Sequence, residues 1–527
     1  MRRRRVLQAK TETQRGVSTL ETLGDTYAGD GAYHAALTNY QRALDLSADD
    51  PAAHARLSVK AGNTAFHRGV ATDVESWCDA PLEKAEPDAR GAAHLNMQIR
   101  TLWSSSRTAD IVPLSKHLLD FAMAVDDDDL ALNTRLSLAM VLHLLSRYDE
   151  SKCYLHAIDE SALPDDPKVL SKYHRVCALA FTSSGNGEKA LASFTKALHY
   201  AEQDRDPYAY ISVLQSQALC ASILGQTERA AGLYLQALTA ARDKNLGWIV
   251  ACISLEYARE LSRQGNRHLA HAYVSQAAME KNRPPVLLEA LAEIGIPIAL
   301  ECNDAHLLRQ CANEDALTFA FRSGEPPRLG PVASSFARYF HRNGQPQKAR
   351  EVLAKALKHV RHADEACDLP LAIAQFGDKR HFGQARETLR RRMLLPHSEV
   401  AIAHLHYFEA IVFDREGDAE GCAREATAAA GVFRELQWSS HELAATLLAA
   451  SAHGARNSVD ASTSSSIPPE LTLREQSVVQ LATVGLSNRE IGQRLSISAR
   501  TVECHMTSIL HRLGLRSRHQ LLEAIRR

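Results

Sequence analysis

The side chains best placed for recognition chemistry in this chain fall within one stretch, Ser487 to Leu513. Val502, Met506, Ile509 and Leu513 recur at steps of four, three and four, which predicts a helix with a single apolar stripe. Arg500, Glu503, Cys504, Thr507, Ser508 and His511 fall on the other side. They are donors, acceptors and small groups without bulky apolar cover. A helix with a sticky inner stripe and a compact polar outer face fits a DNA major groove, where such groups touch base edges. Glu accepts from a cytosine amino group, and Cys or Thr suits a thymine methyl. The expected base-reading set is therefore Glu503, Cys504, Thr507, Ser508 and His511.

Short helices must position that face, and their start signals are strong. Ser487 and Glu490 form a capping box, with Leu486 and Ile491 as its hydrophobic staple. Ser498 is the N-cap of the helix carrying the stripe, Ile497 and Val502 staple it, and Gly514 is its expected stop. Two helices joined by a tight turn, the second polar outward, make a helix-turn-helix. Thr472 and Glu475 cap a preceding helix with Val478, Val479, Leu481 and Ala482 on its apolar face. Ser517 and Gln520 cap a last helix bearing Leu521, Leu522, Ala524 and Ile525. The expected unit is a four-helix domain over 470–527.

Charge supports a nucleic-acid partner. Residues 470–527 hold nine Arg, no Lys and five acids, whereas the rest of the chain holds 52 bases and 57 acids. The near-neutral total of −1 hides a basic end on a mildly acidic body. Arg489, Arg500, Arg512, Arg516 and Arg518, with Asn488 and Thr501, are the expected phosphate contacts.

The run from Leu471 to Arg518 resembles the C-terminal DNA-binding domain of LuxR-type transcriptional regulators. The matching residues are Leu471, Thr472, Arg474 and Glu475; Gly485-Leu486-Ser487-Asn488 before Glu490-Ile491; Thr501, Val502 and His505; Leu513; and Ser517-Arg518. The resemblance implies that the helix from Ser498 lies in the major groove of double-stranded DNA. It also implies that the last helix forms a homodimer contact, here through Leu521, Leu522 and Ile525. RNA polymerase becomes a candidate partner. One departure stands out: many members have Lys where this chain has Glu503, so the preferred DNA sequence does not carry over.

Upstream, LETLGDTYAGDGAYHAALTNYQRALDL, starting at Leu20, has small residues where helices would cross and aromatics between them. It resembles a tetratricopeptide (TPR) repeat. Ala190, Ala230 and Ala270 recur forty residues apart within similar segments, and Ala349 lies about two further steps on. A degenerate unit is expected near 285–325. The period exceeds that of standard TPRs and resembles the repeats of MalT-like regulators, whose ATPase module has no counterpart motif here. Such helix pairs must stack into a solenoid with a concave groove. A peptide, protein or small-molecule effector is the expected occupant.

The fold class is thus all-α: a TPR-like α-solenoid followed by a four-helix LuxR-type helix-turn-helix domain. The boundaries read as an N-terminal extension 1–19, a solenoid 20–452, a Ser/Pro-rich linker 453–469 and the DNA-binding domain 470–527. A flexible linker would let the last domain move relative to the solenoid.

Other chemistries find little support. No GxxxxGK[ST] loop and no nucleophile–base pairing stands out, so neither an enzyme nor a cofactor is expected. The ten Cys are scattered, without a CxxC, and read as reduced core residues of a cytoplasmic protein. No metal site is expected. The run Asp126–Asp129 lacks the spaced ligands of a calcium loop and reads as a solvated turn. No window is apolar enough for a membrane span. The rival to a regulator is a TPR scaffold whose terminal domain no longer binds DNA specifically; Glu503 is the residue that favours it.

Overall fold

The computed structural model describes residues 2–48, 50–69, 102, 107–124, 126–203, 207–323, 326–359, 368–393 and 398–456. Of the C-terminal segment it describes 475, 478, 479, 482, 487–489, 491, 499–513, 515, 517, 518, 520 and 521. Helices dominate, and no strand occurs among the described residues. Two compact units result: 1–261 with 267–372, and 262–266 with 373–527.

The first unit is a succession of TPR-like helix pairs. Pro167–Ser183 precedes Gly187–Ala201, Pro207–Ile223 precedes Thr227–Asp243, and Gly247–Arg263 precedes Arg267–Ala277. The first helices of these pairs start forty residues apart, as the alanine spacing requires. Ala190, Phe194 and Ala197, with their counterparts Ala230, Tyr234 and Ala237, are fully or almost fully buried. The small residues let neighbouring helices approach, and the aromatic between them fills the space this leaves.

Each tight turn inside a pair uses a left-handed residue. Gly185, Gly225 and Gly265 have φ of 78°, 71° and 82°, a region that costs glycine nothing. Ser146 and Asn303 adopt the same conformation at φ 59° and 54°. Gly24 answers a different need. A Cβ there would come within 2.5 Å of the Tyr40 ring, so the close helix crossing requires its absence.

The degenerate unit expected near 285–325 is a set of shorter pieces. Pro285–Ala290 runs through a π-helical turn, Leu291–Gly295, into Ile296–Glu301, and Ala305–Cys311 and Glu314–Ser323 follow. The acidic run also has a local role: Asp127 accepts from the Leu130 amide as N-cap, and Asp128 and Asp129 occupy the first helical turn.

Two boundaries differ from expectation. The first helix spans Arg2–Gly29, so residues assigned to an N-terminal extension continue the first repeat helix, with Val17 buried in its cluster. Helix Ser439–Arg456 runs beyond 452, into the segment read as linker. Ser and Thr in the linker suggested a break, but Ala449, Ala452 and the neighbouring alanines sustain the helix. The remaining linker positions, 457–469, lie outside the described residues.

Long-range contacts within the first unit return its N-terminal helices to its middle. Tyr33 Oη donates to the Lys244 carbonyl at 2.9 Å, and Trp248 Nε1 donates to the Phe66 carbonyl at 2.8 Å. Phe66 sits edge-on to both Tyr208 and Trp248, with ring centroids 5.2 and 5.3 Å away. Such pairs add about 0.5–1.5 kcal/mol beyond burial.

In the second unit, Ser398–Glu416, Ala419–Glu435 and Ser439–Arg456 pack in sequence around Phe433, Ala426 and Ala445.

Candidate nucleic-acid interface

The helix that carries the stripe spans Ala499–Arg512. Val502, Met506 and Ile509 are buried with Val478, Val479, Ala482 and Ile491, and Leu513 and Leu515 pack at the edge. With Leu521 in the same cluster, burial of the stripe fixes which face of the helix remains outside. Leu443 of helix Ser439–Arg456 joins the same cluster. The expectation of independent movement therefore meets a packing contact between the terminal segment and that helix.

Arg500, Glu503, Thr507 and His511 are all exposed. Their spacing of three, four and four puts them on one outer stripe. Thr507 Oγ1 donates to the Glu503 carbonyl at 2.9 Å, which holds the rotamer and leaves the methyl and a hydroxyl lone pair outward. Arg489 is also exposed, whereas Asn488 and Thr501 are half-buried. The side chain of Cys504, together with Arg516, Leu522 and Ile525, lies outside the described residues.

Several expected site residues are engaged inside the domain. Ser508 Oγ donates to Glu475 Oε1 at 2.7 Å, so its hydroxyl turns toward the core rather than to bases. Arg512 meets Glu475 Oε2 at 3.1 Å. Its side chain remains 46% exposed, which leaves guanidinium surface for a phosphate. Arg518 donates to Asn488 Oδ1 at 3.1 Å and to the Ala482 carbonyl at 3.4 Å. It ties three segments together and offers less to a phosphate than its charge suggests. Leu521 is fully buried in the domain's own cluster. A dimer contact through Leu521 would have to open that core, so its place is internal packing.

Glu475 is the functional residue that the motif alone understated. It reads as the end of a capping box, yet it is 3% exposed and holds both Ser508 and Arg512. The signal was present in the spacing. Glu475 shares a helical face with Val478, Val479 and Ala482, so it had to point inward. A buried carboxylate needs partners, and helix Ala499–Arg512 supplies them.

The sequence model described as bacterial regulatory proteins, luxR family, matches residues 469–524. These residues form a LuxR-type helix-turn-helix domain. An HTH-type transcriptional regulator of Mycobacterium tuberculosis is 52% identical over 58 residues, which is 11% of this chain and 7% of that protein. The oxygen regulatory protein NreC of Staphylococcus aureus is 42% identical over 53 residues, 10% of this chain and 24% of that protein. The likeness to these relatives thus spans under a quarter of their length. Among solved structures, a Rap protein complexed with competence and sporulation factor covers 72% of this chain and 98% of its own, at 12% identity and a TM-score of 0.37. The APC/C hetero-tetramer Cut9–Hcn1 covers 83% of this chain and 76% of the other, at 15% identity and a TM-score of 0.44.

No group of three or more His, Cys, Asp or Glu that could hold a metal ion occurs among the described residues. No described helix is long and apolar enough to cross a membrane.

Proposed function

We propose that this chain is a DNA-binding transcription regulator in which the TPR-like solenoid receives an effector or partner and controls the terminal helix-turn-helix domain. The observation that carries the reading is the exposed stripe Arg500, Glu503, Thr507 and His511 on a helix whose other face is locked into a LuxR-type core. Arg489, Arg500 and Arg512 position the domain on phosphates, and Glu503 and Thr507 read base edges. A single small domain binds weakly, so a homodimer on a two-fold site supplies the affinity. The effector acts by binding one arrangement of the chain better than another. RNA polymerase is the downstream partner this scheme calls for.

Capture of genomic fragments by the full-length chain tests the reading. Recovery of a few discrete fragments is the expected result. Equal recovery of all fragments, weakening together with salt, would leave only a basic tail on a scaffold.

A further inference from the structure

A cavity of about 210 Å³ opens among four helices of the first unit. Tyr208 and Gln215 reach it from Pro207–Ile223; Trp248, Glu256 and Arg259 from Gly247–Arg263; Glu289 and Glu293 from the 285–301 segment; and Arg328 from Pro326–Arg342. Successive repeats each contribute a turn of side chains, so the site is built by the stacking itself.

Its charges do not balance. Arg328 pairs with Glu289 at 3.0 Å, and Arg259 pairs with Glu293 at 2.9 Å. Glu256 remains. It forms no ion pair among the described residues, and the Gln215 amide reaches it at 3.5 Å, the outer limit of a hydrogen bond. Burial pushes the Glu256 and Glu293 carboxyls above the ordinary range, despite Arg259 close to both. Asp368 is near enough to push Glu293 further the same way. Among the lining side chains the acids thus outnumber the guanidinium groups three to two.

The backbone here is also shaped. Glu293 lies in the π-helical turn Leu291–Gly295, and its carbonyl accepts from Ser335 Oγ at 3.0 Å. A π turn inside a helix re-aims the side chains it carries and is frequent at functional sites. The aromatic wall is held from outside: Phe66 packs edge-on against both Tyr208 and Trp248.

We infer that this cavity binds a small primary amine, its ammonium group on Glu256 and its carbon chain against the Trp248 and Tyr208 rings. An ammonium donates three hydrogen bonds and matches the acid surplus, and the carbon chain gains from burial against the rings. An anionic ligand would meet guanidinium groups already engaged by carboxylates. The inference names the chemistry of the effector that the proposed function leaves open, and rests on that reading only for its consequence at DNA. Because Phe66 belongs to helix Pro51–Arg68, a ligand on the aromatic wall also bears on the contact that returns the N-terminal helices to this unit.

Calorimetric titration of the full-length chain with putrescine tests the site, with 1,4-butanediol as the uncharged match. Saturable binding of putrescine, at least tenfold tighter than butanediol, is expected. Glu256→Gln should weaken putrescine at least tenfold and leave butanediol unchanged. Glu256→Asp, which keeps the charge, should recover part of the loss, and this separates a lost contact from a damaged fold. Equal affinity for the two compounds, absence of saturable putrescine binding, or unchanged putrescine affinity in a folded Glu256→Gln chain would overturn the inference. Genomic fragment capture without ligand is read separately. Its failure alongside intact putrescine binding would sink the regulator reading, and the converse would sink only this site.

Discussion

At the scale of single residues, the terminal domain separates the exposed side chains proposed to read DNA from those that hold their helix in the core. Thr507 and Ser508 are neighbours with similar hydroxyls, yet Thr507 faces outward and Ser508 is bonded to buried Glu475. Thr507→Ala should change which fragments are selected without changing thermal unfolding. Ser508→Ala should do the reverse, costing about 1–3 kcal/mol of domain stability while leaving sequence choice intact. Unfolding and fragment selection on both variants check this. A second residue-scale prediction concerns pH. Burial, with a lesser contribution from Lys152, lowers the His143 imidazole from 6.5 to about 4. The folded chain therefore keeps this ring neutral where the unfolded chain protonates it. Its contribution to stability is fully present above pH 6.5 and is lost as pH falls toward 4. A titration of His143 by NMR should place its midpoint near 4. Replacing it with Gln should flatten the stability profile across that window.

At the scale of elements, the repeat turns explain both the regularity of the chain and its weak points. Most left-handed turn positions inside pairs are glycine, but Ser146 occupies one at φ 59°. Its hydroxyl is buried without a hydrogen-bond partner among the described residues. Ser146→Gly should raise stability by about 1 kcal/mol, because relief of the left-handed strain exceeds the entropy glycine adds to the unfolded chain. A denaturant midpoint that falls instead would contradict this account of the turn. Elements were the most legible level in the sequence. Alanines at forty-residue steps and the stripe of Val502, Met506 and Ile509 specify the helices and their inner faces. The ends were less legible. Helix Arg2–Gly29 starts in a run of four arginines that reads as solvated chain, and helix Ser439–Arg456 persists on alanine propensity into a segment that otherwise looks like linker. Neither end carries a capping signal strong enough to mark it.

At the scale of the molecule, the unreadable part is what the chain brings together from afar. Nothing in the local pattern connects Phe66 with Trp248, which lie 182 residues apart, yet this contact shapes the aromatic wall of the cavity. The same holds for Leu521. Its helical spacing marks it as apolar, but only the assembled core shows that its surface is already used within the domain. The candidate DNA face was largely visible in the sequence, because an outward stripe is the complement of an inward one. The partners of Ser508, Arg512 and Arg518 were not, because each lies thirty or more residues away in the chain.

The central claim is that Glu503 and Thr507 read sequence while Arg489, Arg500 and Arg512 read charge. The most direct measurement is the affinity of full-length chain for a captured fragment and for a scrambled copy, across a series of salt concentrations. Wild type, Arg500→Ala and Thr507→Ala would be compared. The account predicts that Arg500→Ala weakens both DNAs alike and lowers the salt slope by about 1. It predicts that Thr507→Ala keeps the slope and narrows the gap between the fragments by about 1–3 kcal/mol. A gap between fragment and scramble that Thr507→Ala leaves unchanged, or the absence of any gap in wild type, would contradict it.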